Sequence, residues 1–146
     1  MRPVSLTYSG TVVAPIEKVF DLIADPTRMP QWFPQCRAAV PAPEPNRKGA
    51  RHRLQLLRDG PPIDAEIEIL EYAPPTSYGW VETYHRAGSK TFFALQFDGG
   101  STRITMKYIW RPPNLRTWIL GHFYRRRNAR RTFDALLQNL RTLLMK

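Results

Sequence analysis

The C-terminal stretch carries one continuous helical pattern, and this pattern constrains the fold more than any other segment does. From Asn114 to Met145, apolar residues recur every three or four positions, which is typical of a helix with one buried face. The stripe consists of Leu115, Ile119, Ala129, Phe133, Leu137, Leu140 and Leu144. His122 and Arg126 interrupt this stripe and point the same way as its leucines. The rest of the chain must therefore supply a surface for this helix to cover.

That surface is predicted between Arg51 and Arg111, where short apolar segments alternate with turn signals. The predicted strands are 51–58, 63–73, 77–86, 90–98 and 102–111. Glycine and proline pairs separate them, and connections this short force neighbouring strands to be antiparallel. Residues 4–13 also alternate between apolar and small polar side chains, which predicts one further strand.

The segment after the first strand predicts short helices. Pro15 stands where the first position of a helix tolerates proline best. Residues 16–23 have helical periodicity, and Asp25 with Pro26 ends the pattern. A proline-rich connector follows from Thr27 to Pro34, and the prolines of 41–49 predict a loop.

The side-chain alternation predicts a sheet with one solvated face and one face covered by the long helix. The residues predicted to point inward are Leu54, Leu56, Ile67, Ile69, Phe93, Leu95, Phe97, Ile104, Met106, Tyr108 and Trp110. For 77–86 the pattern leaves two faces open: Trp80, Glu82 and Tyr84, or Val81, Thr83 and His85. At 146 residues, we expect one α+β domain over 1–146.

The net charge of +10 is unevenly distributed. From Arg111 onward there are nine basic residues and one acidic residue, Asp134, so the helix holds most of the excess. Arg125, Arg127 and Arg131 lie off the apolar stripe and are predicted to be exposed. They indicate an anionic membrane surface or an acidic protein as a partner, or simply a solvated face in a chain with 17 Arg and five Lys. No nucleic-acid-binding motif accompanies them, so nucleic acid is not expected.

Cysteine and histidine usage predicts no metal and no cofactor. Cys36 is the single cysteine and is expected to be structural. The three histidines, His52, His85 and His122, have no metal-ligand spacing on one element. No apolar run follows the N-terminus, so we expect a cytoplasmic protein.

Several short motifs resemble those of the START-like superfamily, which includes polyketide cyclases and dehydrases and lipid-transfer domains. The matching residues are Val13, Ala14, Pro15, Glu17, Val19, Phe20, the run Ile23 to Pro26, then Pro30, Trp32, Pro34 and the entry Gly100 to Thr105. This resemblance implies a helix-grip fold, in which a curved antiparallel sheet of six to seven strands wraps around the C-terminal helix. It also implies a cavity for a hydrophobic molecule between the two.

Three polar residues are the candidates for chemistry in such a cavity. His122 would move a proton, Arg126 would stabilise developing negative charge, and Tyr108 would donate its hydroxyl. Alternatively, a small rotation of the helix places Arg126 at the rim, where its guanidinium reaches water. The full set of expected ligand contacts is Trp32, Phe33, Leu54, Leu56, Ile67, Ile69, Trp80, Phe93, Leu95, Phe97, Met106, Tyr108, Trp110, Trp118, His122 and Arg126.

The sequence leaves three hypotheses for function. The first is a carrier or binding module for a hydrophobic, planar or polycyclic small molecule. The second is a polyketide cyclase, aromatase or dehydratase, although no catalytic pattern of that family maps onto 51–86. The third is an accessory protein that docks to a membrane or an acidic partner through its basic helix.

Overall fold

A seven-stranded antiparallel sheet and a 30-residue helix dominate the fold. The computed structural model describes residues 3–57, 60–84, 88–111 and 115–145, and the side chains throughout these ranges except at 115 and 117–125. The strands are β1 Val4–Val12, β2 Cys36–Val40, β3 Arg51–Leu56, β4 Ile63–Ala73, β5 Ser77–Tyr84, β6 Lys90–Asp98 and β7 Ser101–Trp110. The helices are α1 Ile16–Ile23, α2 Met29–Trp32 and α3 Leu115–Leu144, with a 3₁₀ turn at Pro26–Arg28.

The strand order is β1-β7-β6-β5-β4-β3-β2, so every neighbour in the sequence from β2 to β7 is also a neighbour in the sheet. β1 closes the meander by pairing with β7, from Val4 opposite Trp110 to Val12 opposite Thr102. This open sheet with one long C-terminal helix confirms the predicted α+β helix-grip fold.

One strand was not predicted. β2 pairs with β3 through a bulge between Cys36 and Ala38. The sequence of this segment does not alternate between apolar and polar residues, and in the structure the adjacent Arg37 and Ala38 are both exposed. Its structure comes from pairing with β3 rather than from its own side chains.

The inner face of the sheet agrees with the alternation at most positions. The buried inner residues are Leu54, Leu56, Ile67, Ile69, Phe93, Leu95, Ile104, Met106 and Trp110. Phe97 is the exception: it is 52% exposed, so its predicted inward position is wrong. β5 pairs with β6 only as far as Ala94, and Phe97 lies beyond that point without a strand on its β5 side.

β5 contributes Tyr78, Trp80 and Glu82 to the buried face, at 2%, 3% and 6% exposure. Of the two faces that the sequence left open for 77–86, the one with Trp80 and Glu82 points inward. Tyr84 belongs to the same face but is 63% exposed. His85 lies outside the described residues.

α3 is anchored by its C-terminal half. Phe133, Leu136, Leu137 and Leu140 are buried, and a Cβ at Gly10 of β1 would collide with a methyl group of Leu137. Two polar contacts strengthen this attachment. The Asn139 amide donates to the carbonyl of Trp32 at 3.2 Å, and the Arg141 guanidinium donates to the carbonyl of Thr11 at 2.9 Å.

Candidate ligand-binding site

A band of polar side chains crosses the inner face of the sheet beside aromatic residues. Trp80, Thr91 and Tyr108 stand opposite one another on β5, β6 and β7. Thr91 is buried at 7% exposure, and Tyr108 is half-buried. The alternation of β6 places Thr91 two residues before Phe93, which is the signal that identifies it as inward.

Glu82 and Ser89 extend this band at the β5–β6 hairpin. Both are buried, at 6% and 4% exposure. The Glu82 amide donates to the carbonyl of Ser89 at 2.9 Å, and the Gly88 amide donates to the carbonyl of Glu82 at 2.8 Å. These bonds pair Glu82 with Gly88 and Ser89. Glu82 lies two residues after Trp80 in β5 and is also buried, so its side chain faces the same side as Trp80. We refer to Glu82, Ser89, Thr91 and Tyr108 as the polar band.

His52 of β3 is a further buried polar residue that the sequence did not single out as inward. It is 0% exposed, and its Nδ1 accepts a hydrogen bond from the Ala42 amide at 3.0 Å. Burial lowers the pKa of His52, so the ring is neutral and carries its proton on Nε2. Nε2 has no hydrogen-bond partner within the described ranges.

An aromatic cluster packs below this surface. Trp32 meets Phe93 edge-on at 5.7 Å between ring centroids, and Phe33 meets Trp80 at 5.8 Å. Trp32 is 0% exposed, and its indole Nε1 has no hydrogen-bond partner in the part of the chain that the structure describes. Edge-to-face packing of this kind holds the rings in fixed positions, and it makes them a rigid wall.

Trp110 and Tyr108 line a smaller apolar cluster with Val4 and Leu6 of β1, next to Ala129 of α3. This cluster lies at the end of the sheet from which the chain leads into α3. Aromatic, aliphatic and polar side chains therefore share the inner face of the sheet. Such a surface can hold an apolar molecule and direct a few hydrogen bonds to it.

Arg126 is exposed, which agrees with the alternative position at the rim and not with a place inside the pocket. The Tyr8 side chain fills the space between β1 and α3 at this level, and its hydroxyl donates to the Arg126 carbonyl at 3.0 Å. The long Arg126 side chain extends into water, where its charge needs no buried partner. The side chains of His122, Trp118 and Arg125 lie outside the described residues.

Arg127 and Arg131 are exposed, as the helical pattern predicts. Nearby, Arg130 pairs with Asp134 at 3.6 Å, and both side chains are largely exposed. None of the helices in the described ranges is long and apolar enough to cross a membrane.

The chain is similar to a known protein family. A model of the family described as polyketide cyclase / dehydrase and lipid transport matches residues 3–145. The chain belongs to this family. The polyketide cyclase / dehydrase and lipid transport family is associated with hydrophobic small molecules, which agrees with the apolar concave face. Comparison with functionally curated proteins finds no match.

Solved structures of similar fold come from bacteria and plants. A START superfamily protein from Mycobacterium smegmatis is similar with a TM-score of 0.75 and 15% identity, covering 97% of each chain. Ginseng major latex-like protein 151 from Panax ginseng has a TM-score of 0.77 and 12% identity, covering 99% of each chain. A Polyketide_cyc-like protein from Corynebacterium glutamicum has a TM-score of 0.70 and 21% identity, covering 97% of this chain and 92% of that one. At such identities the likeness establishes the fold alone.

Proposed function

We propose that the chain binds a hydrophobic, planar small molecule between the inner face of the sheet and α3, as a carrier or binding module. The observation that carries this proposal is the polar band on an otherwise apolar face. The buried hydroxyl of Thr91 can exchange a hydrogen bond with a polar atom of a molecule bound on this face. It therefore suits a ligand that carries an oxygen atom as well as an apolar surface.

The dimensions of the band favour a ligand with more than one ring. Glu82 on β5 and Tyr108 on β7 are separated by one intervening strand, so their backbones lie on the order of 10 Å apart. A planar tricyclic molecule has a comparable length. Trp80 and Trp110 flank the band, and their flat faces favour stacking on a planar molecule.

Two ligands of matched shape test the proposal. Fluorenone and fluorene are both planar and tricyclic, and only fluorenone carries a carbonyl oxygen. We expect saturable 1:1 quenching of tryptophan fluorescence by both, with tighter binding of fluorenone. Thr91→Val should weaken fluorenone binding about fivefold, because one hydrogen bond contributes about 1 kcal/mol, and should leave fluorene binding unchanged.

Thr7→Val is the control, because Thr7 is exposed on the opposite face of β1. It should bind both ligands as the wild type does. Absence of saturable binding for both ligands would refute the binding proposal. An unchanged affinity in Thr91→Val would show that the ligand does not contact the polar band.

A second candidate function is a dehydratase or cyclase of polyketide-like substrates, and the buried carboxyl of Glu82 favours it. In a dehydration, Glu82 would remove the proton next to a carbonyl, and the Tyr108 hydroxyl would protonate the departing hydroxyl to release water. The test is to incubate the protein with a β-hydroxyacyl thioester and to measure the loss of water from it by mass spectrometry.

Glu82→Gln should abolish this reaction while it retains fluorenone affinity. Glu71→Gln is the matched control, because Glu71 is exposed on β4. Equal turnover in the wild type and Glu82→Gln would contradict the assignment of Glu82. Binding without any turnover would favour the carrier function.

A further inference from the structure

A cavity of about 710 Å³ lies on the outer face of the sheet, where β2, β3, β4 and β5 run side by side. Its polar side chains alternate along β3 and β4 with buried inner ones, so it lies on the opposite face from the polar band. We call it the outer pocket. Its lining includes Val40, Arg53, Gln55, Asp64, Glu66 and Tyr84. No residue of the polar band lines it, so it is a second candidate site that does not depend on the proposed function.

Tyr84 reaches the outer pocket because the β4–β5 ladder shifts its register beside it. Glu82 lies opposite Ile67, so an unbroken ladder would place Tyr84 opposite Ala65, whose side chain is buried. Tyr84 instead lies opposite Glu66, one residue further along β4. A shift of one residue moves a side chain to the other face of a sheet. The bulge therefore turns the Tyr84 ring away from the inner face and into the outer pocket.

The carboxylate of Glu66 is already engaged within the sheet. Its Oε1 accepts a hydrogen bond from the Arg51 guanidinium at 3.4 Å and one from the Thr83 hydroxyl at 3.0 Å. The Nε of Arg51 also donates to Glu68 at 3.0 Å. Arg51 and Glu66 therefore neutralise each other and hold the strands together, and they leave recognition of a ligand to other groups.

Two charged side chains of the outer pocket have no such partner. Arg53 lies opposite Glu66, and Asp64 lies opposite Gln55. The side chains of Arg53 and Asp64 form no ion pair or hydrogen bond within the part of the chain that the structure describes. These two residues are diagonal neighbours on adjacent strands, so their Cα atoms lie about 7–8 Å apart. One unpaired cation and one unpaired anion thus flank the same space.

We propose that the outer pocket binds a zwitterionic amino acid with an apolar side chain. The Arg53 guanidinium binds its carboxylate, and the Asp64 carboxylate binds its ammonium group. Val40 and the ring of Tyr84 supply surfaces for the apolar side chain. The lining contains two basic and two acidic residues, so it does not favour a ligand with a net charge. The volume lies within the range for small-molecule sites, roughly 300–1,000 Å³.

The test is a titration of the full ¹⁵N-labelled chain with L-phenylalanine, monitored by amide chemical shifts at constant ionic strength. 3-Phenylpropanoate lacks the ammonium group and phenethylamine lacks the carboxylate, so these two molecules are ligand controls of matched shape. We expect saturable shifts that are confined to residues 38–40, 51–55, 64–66 and 83–84. Each control ligand should bind about fivefold more weakly than L-phenylalanine, because it makes only one of the two charge contacts.

Two variants assign the two charges to the two ends of the ligand. Arg53→Gln should weaken binding of L-phenylalanine and 3-phenylpropanoate about fivefold and leave binding of phenethylamine unchanged. Asp64→Asn should weaken binding of L-phenylalanine and phenethylamine by the same factor and leave binding of 3-phenylpropanoate unchanged. Arg103→Gln and Glu71→Gln are the controls, because both residues are exposed and do not line the outer pocket. Both controls should bind all three ligands as the wild type does.

Three results would overturn the proposal. Shifts that are absent, or that fall outside these four segments, would exclude a site in the outer pocket. Equal affinity for the three ligands would show that the site does not recognise a zwitterion. Wild-type affinity for L-phenylalanine in both Arg53→Gln and Asp64→Asn would show that these side chains do not bind the ligand.

Discussion

Tyr8 joins β1 to α3 through three different contacts, and its substitution should therefore destabilise the protein. Its hydroxyl donates to the Arg126 carbonyl at 3.0 Å, and its ring stacks on Phe133 at 5.9 Å between centroids. The Arg130 guanidinium lies 5.5 Å from the centre of the same ring. Tyr8 therefore sets the distance between the helix and the inner face of the sheet at this level.

The three contacts can be separated by two substitutions. Tyr8→Phe removes only the hydroxyl and should lower the free energy of unfolding by about 1 kcal/mol. Tyr8→Leu also loses the ring stacking, about 1 kcal/mol, and a cation–π contact of about 0.5 kcal/mol. The expected total for Tyr8→Leu is about 2.5 kcal/mol. For a chain of this size each kcal/mol lowers Tm by about 2–4 °C.

Urea denaturation followed by circular dichroism measures these differences, provided that all variants share one m-value. Tyr84→Phe is the matched control, because Tyr84 is 63% exposed and should show no change. Arg130→Met tests the coupling: it should cost less in the Tyr8→Leu background than in the wild type. Equal stability of Tyr8→Phe and the wild type, together with an equal cost of Arg130→Met in both backgrounds, would show that Tyr8 does not hold α3 in this way.

Three further predictions concern buried groups. Burial lowers the pKa of His52 below 6.5, so the unfolded chain takes up a proton on acidification before the folded one does. As the pH falls from 6.5 to the folded-state pKa, protonation of this group in the unfolded chain should therefore lower the free energy of unfolding by up to about 1.4 kcal/mol per pH unit. His52→Asn keeps an acceptor for the Ala42 amide. Its free energy of unfolding, measured by urea denaturation at each pH, should lack this pH dependence. The same pH dependence in His52→Asn and the wild type would disprove the role of His52. Burial raises the pKa of Cys36 to about 11, and a backbone hydrogen bond at Ala38 offsets this only in part, so the thiol should resist a disulfide reagent at neutral pH until urea unfolds the chain. Rapid reaction of the native protein would be the contrary result. Leu136→Ala, at a position with 0% exposure, should lower the free energy of unfolding by about 2–5 kcal/mol, and a loss below about 0.5 kcal/mol in the same denaturation assay would contradict the packing.

The order of strands and helices could be predicted because each element has a distinct local pattern. The period of two in β7 and the helical period of α3 both come from burial on one side. β2 has no such pattern, and it forms because β3 offers an unpaired edge to Cys36–Val40. Phe97 lies on the same side of β6 as Phe93 and Leu95, but β5 does not extend beside it, so its side chain is exposed. Side-chain alternation within one strand does not show where a neighbouring strand ends.

The candidate site could be predicted in part. Tyr108 follows from alternation, and the same rule indicates Thr91 and His52, which stand two residues before Phe93 and Leu54. Glu82 could not be assigned, because both faces of 77–86 mix polar and apolar side chains. Bulges in the β4–β5 ladder shift the register at two places, and no local pattern reveals them.

Arg126 shows a different limit. Its helical angle places it on the apolar stripe, between Ala129 and the unassigned His122. The angle leaves open whether the side chain enters the pocket or reaches water at the rim. It also does not reveal that Tyr8 of a distant strand occupies the space beneath it.

The most direct test of the account is to locate bound fluorenone by nuclear Overhauser effects between its ring protons and ¹³C-labelled methyl groups of the protein. If the ligand lies on the inner face beside the polar band, the effects connect it to the methyl groups of Thr91, Ile69 and Met106. Effects restricted to exposed methyl groups such as those of Val13 and Val40, or the absence of any saturable complex, would contradict the account.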